Sequence, residues 1–158
     1  IFFRPVEATQ RTRARDLVMK AAERLVEILV ERKMSVRFVE HAVDKGVEGR
    51  KMKGRLDLVV GDPLVVLDHK SGSERRRLRD LEQGTAIQLA VYAALLKDSD
   101  GPWPGIGYFQ IRSRRLLTTE PALGGEQTID SPYNVAFIAS RAAPASSVSR
   151  CASVARTE

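Results

Sequence analysis

Three charged residues interrupt two runs that otherwise read as buried strands. In "GRLDLVVGDPLVVLDHKSG", residues 54–72, Asp57 breaks the first apolar run, and Asp68 and Lys70 end the second. A Gly-Asp-Pro turn separates the runs, which predicts an antiparallel hairpin. If Val60 opposes Val65, then Val59 meets Val66, Leu58 meets Leu67, and Asp57 meets Asp68. Opposed residues share a face, so the two carboxylates would stand about 5 Å apart at Cβ. A slip of one residue would send them to opposite faces, so the chemistry depends on register. Lys70 shares that face, about 6–7 Å further along the strand than Asp68. Two carboxylates this close repel, and one takes up a proton unless a cation joins them. With the backbone carbonyl of His69 they offer hard oxygen ligands suited to Mg²⁺ or Mn²⁺. A salt-bridged strand end accounts for any one of these residues alone. All three in one register point to a metal site. Arg55 and the His69 side chain are expected on the other face, with no chemistry assigned.

The elements around the hairpin follow from periodicity. Residues 9–32 predict a helix, because Leu17, Ala21, Leu25, Ile28 and Leu29 form one apolar stripe. Glu23, Glu27 and Glu31 line another face as a solvated edge. Residues 35–44, "SVRFVEHAVD", predict a strand with apolar residues on both faces, hence interior to a sheet. "KGVEGRK" reads as a polar connection, and strands follow at 52–60 and 64–70. "SGSERRRLRD" reads as a loop leading into a basic segment. Residues 85–96, "TAIQLAVYAALL", predict a buried helix, apolar on nearly every side. Gln88 and Tyr92 lie four apart on one face of it, and buried polar tips need partners. "SDGPWPG" is a turn region in which Trp103 reads as a packing plug. A strand follows at 106–112, and "SPYNVAFIAS" suggests one more. The order is a mixed α/β layer arrangement, the strand after the buried helix returning parallel by a right-handed crossover.

The 158 residues suit one domain, placed at 1–139. From Ser140 the chain is dominated by Ala, Ser and Arg, which predicts a flexible tail over 140–158. The start lacks an initiator Met and a signal-peptide pattern, so the chain reads as a fragment of a longer one. The net charge of +6 suggests a polyanionic partner. The single cysteine, Cys151, excludes an internal disulfide framework and a cysteine-rich zinc site. It fits a reducing, cytoplasmic setting. No run of apolar residues is long enough to span a membrane.

With these motifs in order, the sequence resembles the PD-(D/E)XK nuclease superfamily, and most of all its RecB-type, helicase-associated nuclease domains. The residues that carry the resemblance are "GRLD" at 54–57, "LDHKSG" at 67–72 and "QLAVY" at 88–92, with "FVEHAV" before them, over about residues 36–112. The resemblance implies a restriction-endonuclease-like core: a central mixed β-sheet with an antiparallel catalytic hairpin, flanked by helices. It implies a catalytic set of Glu40, Asp57, Asp68, Lys70, Gln88 and Tyr92, with Asp57, Asp68 and the His69 carbonyl holding Mg²⁺ or Mn²⁺. The implied reaction is metal-assisted hydrolysis of DNA phosphodiester bonds, in repair or recombination. Lys70 would orient the attacking water or stabilise transition-state charge, rather than act as general base. Arg75, Arg76, Arg77 and Arg79 would track the DNA backbone. DNA is the implied partner, with a helicase or other domain of the parent protein, and no membrane. Many RecB-type domains carry a metal-ligand histidine on an upstream helix, and here the histidines are His41 and His69. Either that segment precedes this chain or Glu23 or Glu27 substitutes. A catalytically silent, nuclease-fold DNA-binding or scaffold module is the alternative expectation.

Overall fold

The computed structural model describes residues 5–47, 50–98, 100–123 and 127–128. The elements run α1 (Pro5–Glu31), β1 (Val36–Val47), β2 (Arg50–Val60), β3 (Val65–Lys70), α2 (Glu74–Glu82), α3 (Ile87–Leu96), β4 (Gly105–Gln110), β5 (Arg115–Thr118), a 3-10 turn (Pro121–Leu123) and β6 (Gln127–Thr128). One mixed sheet holds the strands in the order β1-β2-β3-β4-β5-β6. Successive strands from β1 to β3 pair antiparallel, β4 lies parallel to β3, and β5 returns antiparallel to β4. The mixed α/β sheet with its antiparallel hairpin is the architecture expected from the sequence. "SPYNVAFIAS" and the 140–158 tail lie outside the described residues.

Each face of the sheet has its own core. On one face the α1 stripe Ala21, Leu25, Ile28 and Leu29 packs on Leu58, Val60, Val65, Leu67, Phe109 and Leu116. On the other, Leu81 of α2 and Leu89, Ala90 and Ala93 of α3 pack on Val59, Val66, Ile106, Tyr108 and Leu117. The strict alternation along β3 divides its residues between the two. Val65 and Leu67 face α1, whereas Val66 faces the α2–α3 side. By that alternation Asp68 and Lys70 belong to the α2–α3 side.

Local signals end the elements that matter for the site. Helix α1 stops in a reciprocal pair of bonds: Lys33 N–H donates to the Val30 carbonyl at 3.0 Å and Met34 N–H to the Leu29 carbonyl at 2.8 Å. Lys33 takes the left-handed conformation this closure needs, with φ 54°. The β2–β3 turn requires Gly61, at φ 79°, where a Cβ would stand 2.7 Å from the Met34 sulfur. The same glycine donates its N–H to the Ser35 carbonyl at 2.8 Å, tying the hairpin turn to the end of α1.

Four sequence expectations change. Strand β1 is the sheet's edge rather than interior, and its apolar Val36, Phe38 and Val39 are exposed. "KGVEGRK" is largely strand, since β1 reaches Val47 and β2 begins at Arg50. The stretch read as a loop after the hairpin is helix α2, capped by Ser73, whose Oγ accepts the Arg76 N–H at 3.4 Å. Trp103 is 37% exposed with the Lys97 ammonium over its ring, so it is no buried plug.

Candidate active site

The hairpin adopts the register that the chemistry needs. Val60 pairs with Val65, Val59 with Val66, and Leu58 with Leu67. The ladder ends there, one pair short of Asp57 and Asp68. In its place the Asp57 side chain closes the strand end: Oδ2 accepts the backbone N–H of His69 at 2.9 Å. The cause lies in β2. Leu58 and Val60 face α1, yet Leu56 faces α3, so the alternation slips at Asp57. Across β1 the residue opposite by count is Glu40, held at φ 48°, and that pair is missing from the ladder. The distortion frees Asp57 to lean toward β3. The carboxylates remain close enough for the charge of Asp57 to act on Asp68.

Asp68 is buried, at 2% exposure. Its Oδ2 lies 2.6 Å from Lys70 Nζ. That contact pairs the two charges and is how Lys70 holds the carboxylate. Lys70 Nζ also donates to Gln88 Oε1 at 3.3 Å, and Gln88 Nε2 donates to Tyr92 Oη at 3.0 Å. The i, i+4 spacing on α3 therefore delivers a relay from Tyr92 through Gln88 to Lys70 and Asp68. Gly54 makes room for it. A Cβ at Gly54 would meet Leu95 Cδ1 at 2.8 Å and the Tyr92 ring at 3.1 Å. Gly54→Val is expected to destabilise the fold by about 1–3 kcal/mol and to push Tyr92 out of line. A chemical denaturation curve indistinguishable from wild type would contradict this close approach.

Burial pushes the Asp68 carboxyl above its ordinary range. Lys70 pulls the value down, and the neighbouring Asp57 adds to the rise. The sign for stability follows. The native state holds the Asp68 proton more tightly than the unfolded chain, so protonation favours folding. The contribution of Asp68 is greatest below the ordinary value of 3.8 and declines as pH rises through the raised native value. In metal-free buffer, melting temperatures of wild type relative to Asp68→Asn should fall from about pH 4 to about pH 7. A difference that stays flat or rises would contradict the raised value.

Several predicted residues are not brought in. Glu40 pairs with Arg55 at 2.9 Å. Arg55 alternates with Gly54 and Leu56, which face α3, so it points the other way and takes Glu40 with it. The slip at Asp57, which sequence alternation does not reveal, is the reason. The His69 imidazole packs edge-on against Phe109 on the α1 side, leaving only its backbone near Asp57. Glu23 and Glu27 sit on exposed positions of α1, which covers the opposite face of the sheet, and Glu27 pairs with Arg24. Of the four arginines, Arg75, Arg76 and Arg79 are exposed on α2. Arg77 turns inward, bonds Asp80 at 3.0 Å and lies 5.4 Å over the Tyr108 ring.

Tyr108 was not singled out by sequence, although it stands next to Asp68 in the β3–β4 register. Burial, with further contributions from Asp80 and Asp68, pushes its hydroxyl up to about 12, so it stays protonated. The alternation of "IGYFQIR" was the available signal, because Tyr108 and Gln110 share a face. That face is the one bearing Asp68 and Lys70.

The donor set fits a hard divalent cation. Asp68 Oδ2 is a buried carboxylate oxygen against the Lys70 ammonium, with a second carboxylate beside it. Lys70 O accepts from Ile111 N–H on the β4 side. Backbone groups alternate along a strand, so those of His69 open toward β2 and Asp57. Two carboxylates and that carbonyl are an oxygen set for Mg²⁺ or Mn²⁺, with water completing the shell. No cluster of three or more His, Cys, Asp or Glu exists among the described residues.

One mixed sheet and the helix beside it thus present an Asp, an Asp-x-Lys and a Gln-x-x-x-Tyr on one face. A family model described as the PD-(D/E)XK nuclease superfamily matches residues 3–151, and the chain belongs to that family. Its fold is accordingly the restriction-endonuclease-like α/β core. Members are typically nucleases and generally use divalent metals. No curated protein matches the chain. Among the described residues no helix is long and apolar enough to cross a membrane.

Proposed function

We propose that the chain is a divalent-metal-dependent deoxyribonuclease domain that hydrolyses DNA phosphodiester bonds, of the RecB type and serving repair or recombination. The observation that carries this reading is the buried Asp68 carboxylate, set between Asp57 and Lys70. Asp57, Asp68 and the His69 carbonyl would hold Mg²⁺ or Mn²⁺. Bound there, the cation supplies Lewis-acid polarisation of the scissile phosphate and a more acidic water. Asp57 is fixed by the His69 N–H, so its carboxylate needs little reorganisation to serve. Lys70 brings a positive charge to the place where the phosphoryl oxygens gain negative charge. Gln88 and Tyr92 keep that ammonium in line.

Arg75, Arg76 and Arg79 begin within a few residues of Lys70 and would engage backbone phosphates flanking the cut. Arg77 is engaged with Asp80 and Tyr108, so its part is to seat α2. A helicase or another domain of a parent protein would deliver the strand. The test is incubation of linear duplex and single-stranded DNA with Mg²⁺, with Mn²⁺, and with chelator. Cleavage in the metal arms that chelator abolishes and Asp57→Ala removes is the expected result. No cleavage in any arm sinks the reading.

A second reading has one observation in its favour: no third carboxylate or histidine joins the pair among the described residues. It is a DNA-binding or scaffold module on the same fold without turnover. It predicts salt-dependent DNA binding that survives Asp57→Ala and needs no metal. Binding that metal strengthens, and that Asp57→Ala weakens, decides against it.

A further inference from the structure

Lys70 is loosely held for so central a group. Its ammonium has three donors. One charge contact goes to Asp68 at 2.6 Å, and one bond of 3.3 Å goes to Gln88, itself exposed. If Asp68 gives its charge to a divalent cation, as proposed above, Lys70 loses its counterion. Neutral acceptors must then keep the ammonium in place. A carboxylate in that role would quench the charge that the phosphate needs.

The neighbouring strand supplies such a group. Lys70 pairs with Gln110 in the parallel β3–β4 register. Across paired strands, side chains at matched positions share a face, with the strands about 4.8 Å apart. Tyr108 packs on the α2–α3 side and Phe109 on the α1 side, so Gln110 returns to the face of Lys70. Gln110 is 1% exposed, at the end of a strand otherwise made of Gly, Ile, Tyr and Phe. Its Nε2 is buried without a hydrogen-bond partner. Such a group lowers stability, and a methionine of similar length would not carry the penalty. Packing therefore does not account for an amide at this position; its carbonyl oxygen, unlike Nε2, is the end that can accept from the neighbouring ammonium.

We propose that Gln110 is a positioning residue for Lys70. With Gln88 it forms a cradle of two amides, one from β4 and one from α3, whose oxygens hold the ammonium once Asp68 binds the cation. The proposal rests on the metal-dependent reading of the site. It goes beyond that reading by assigning a role to a residue outside the three motifs.

The test compares Gln110→Met, Lys70→Met and the double variant with wild type, by DNA cleavage kinetics and by melting temperature without metal and in saturating Mg²⁺. Without metal, Gln110→Met should melt at or above wild type, since the amide there holds nothing and its Nε2 is unmet. Its kcat should fall about tenfold or more, the usual scale for a supporting group beside a metal site. KM for DNA should stay within about threefold, because the amide does not bind the substrate at large. The double variant should be no slower than Lys70→Met alone, and the two melting shifts should not add. Wild-type kcat in Gln110→Met overturns the proposal. A marked fall in its melting temperature without metal overturns it too, because the amide is then structural, and so does additivity with Lys70→Met in Mg²⁺. If wild type does not cleave DNA, the nuclease reading fails, and additivity of the melting shifts alone decides on Gln110.

Discussion

Asp68→Asn should abolish metal-dependent cleavage, by about a thousandfold or more, while the protein stays folded. A thousandfold corresponds to roughly 4 kcal/mol of barrier. The asparagine keeps the shape of the aspartate, so the core around Leu67 and Tyr108 is undisturbed. It removes one of two carboxylates, and with it the charge that would hold a divalent cation. It also removes a buried carboxylate that burial disfavours in its charged form. Thermal stability should therefore fall little in metal-free buffer at neutral pH. The thermal gain that Mg²⁺ gives wild type should vanish in the variant, because only a state that binds the ion is stabilised by it. Cleavage within tenfold of wild type would contradict the assignment.

Lys70→Met should lower cleavage by about a hundred- to a thousandfold, through a different step. The ammonium stabilises charge on the phosphoryl group, and removing one such donor costs on this scale. Cation binding should survive, because both carboxylates remain. Without metal, the variant leaves Asp68 buried beside Asp57 with no cation near. Breaking a buried pair destabilises by about 3 kcal/mol, the low end of the usual range because Lys70 is 24% exposed. Added Mg²⁺ should therefore raise the melting temperature of Lys70→Met more than that of wild type. Asp68→Asn and Lys70→Met are thus both inactive but respond oppositely to metal in a melt. Equal responses would show that the two residues do not divide the work this way.

The hairpin was legible because valine and leucine leave little choice of register. Val59, Val60, Val65 and Val66 must be buried on two faces, and the turn at Gly61 fixes which residues meet. The helical pair Gln88 and Tyr92 was legible from its spacing. Helix α2 was not, because its Glu-Arg-Arg-Arg-Leu-Arg-Asp run offers only Leu78 and Leu81 for burial, too few for a visible period. The edge position of β1 was misread from its apolar residues, which stay exposed. That Glu40 pairs with Arg55 is not legible, because a positive φ and a slipped alternation are tertiary features with no local signature. Gln110 carries no sequence signal, because a lone amide closing an apolar strand gives no motif. Its significance appears only when β4 lies beside Lys70.

The most direct test of the proposed centre is anomalous scattering from crystals of this protein soaked in Mn²⁺. The predicted result is a peak within about 2.0–2.5 Å of carboxylate oxygens from both Asp57 and Asp68, with the His69 carbonyl as a further ligand. No peak between those two carboxylates at saturating Mn²⁺ would contradict the proposed site.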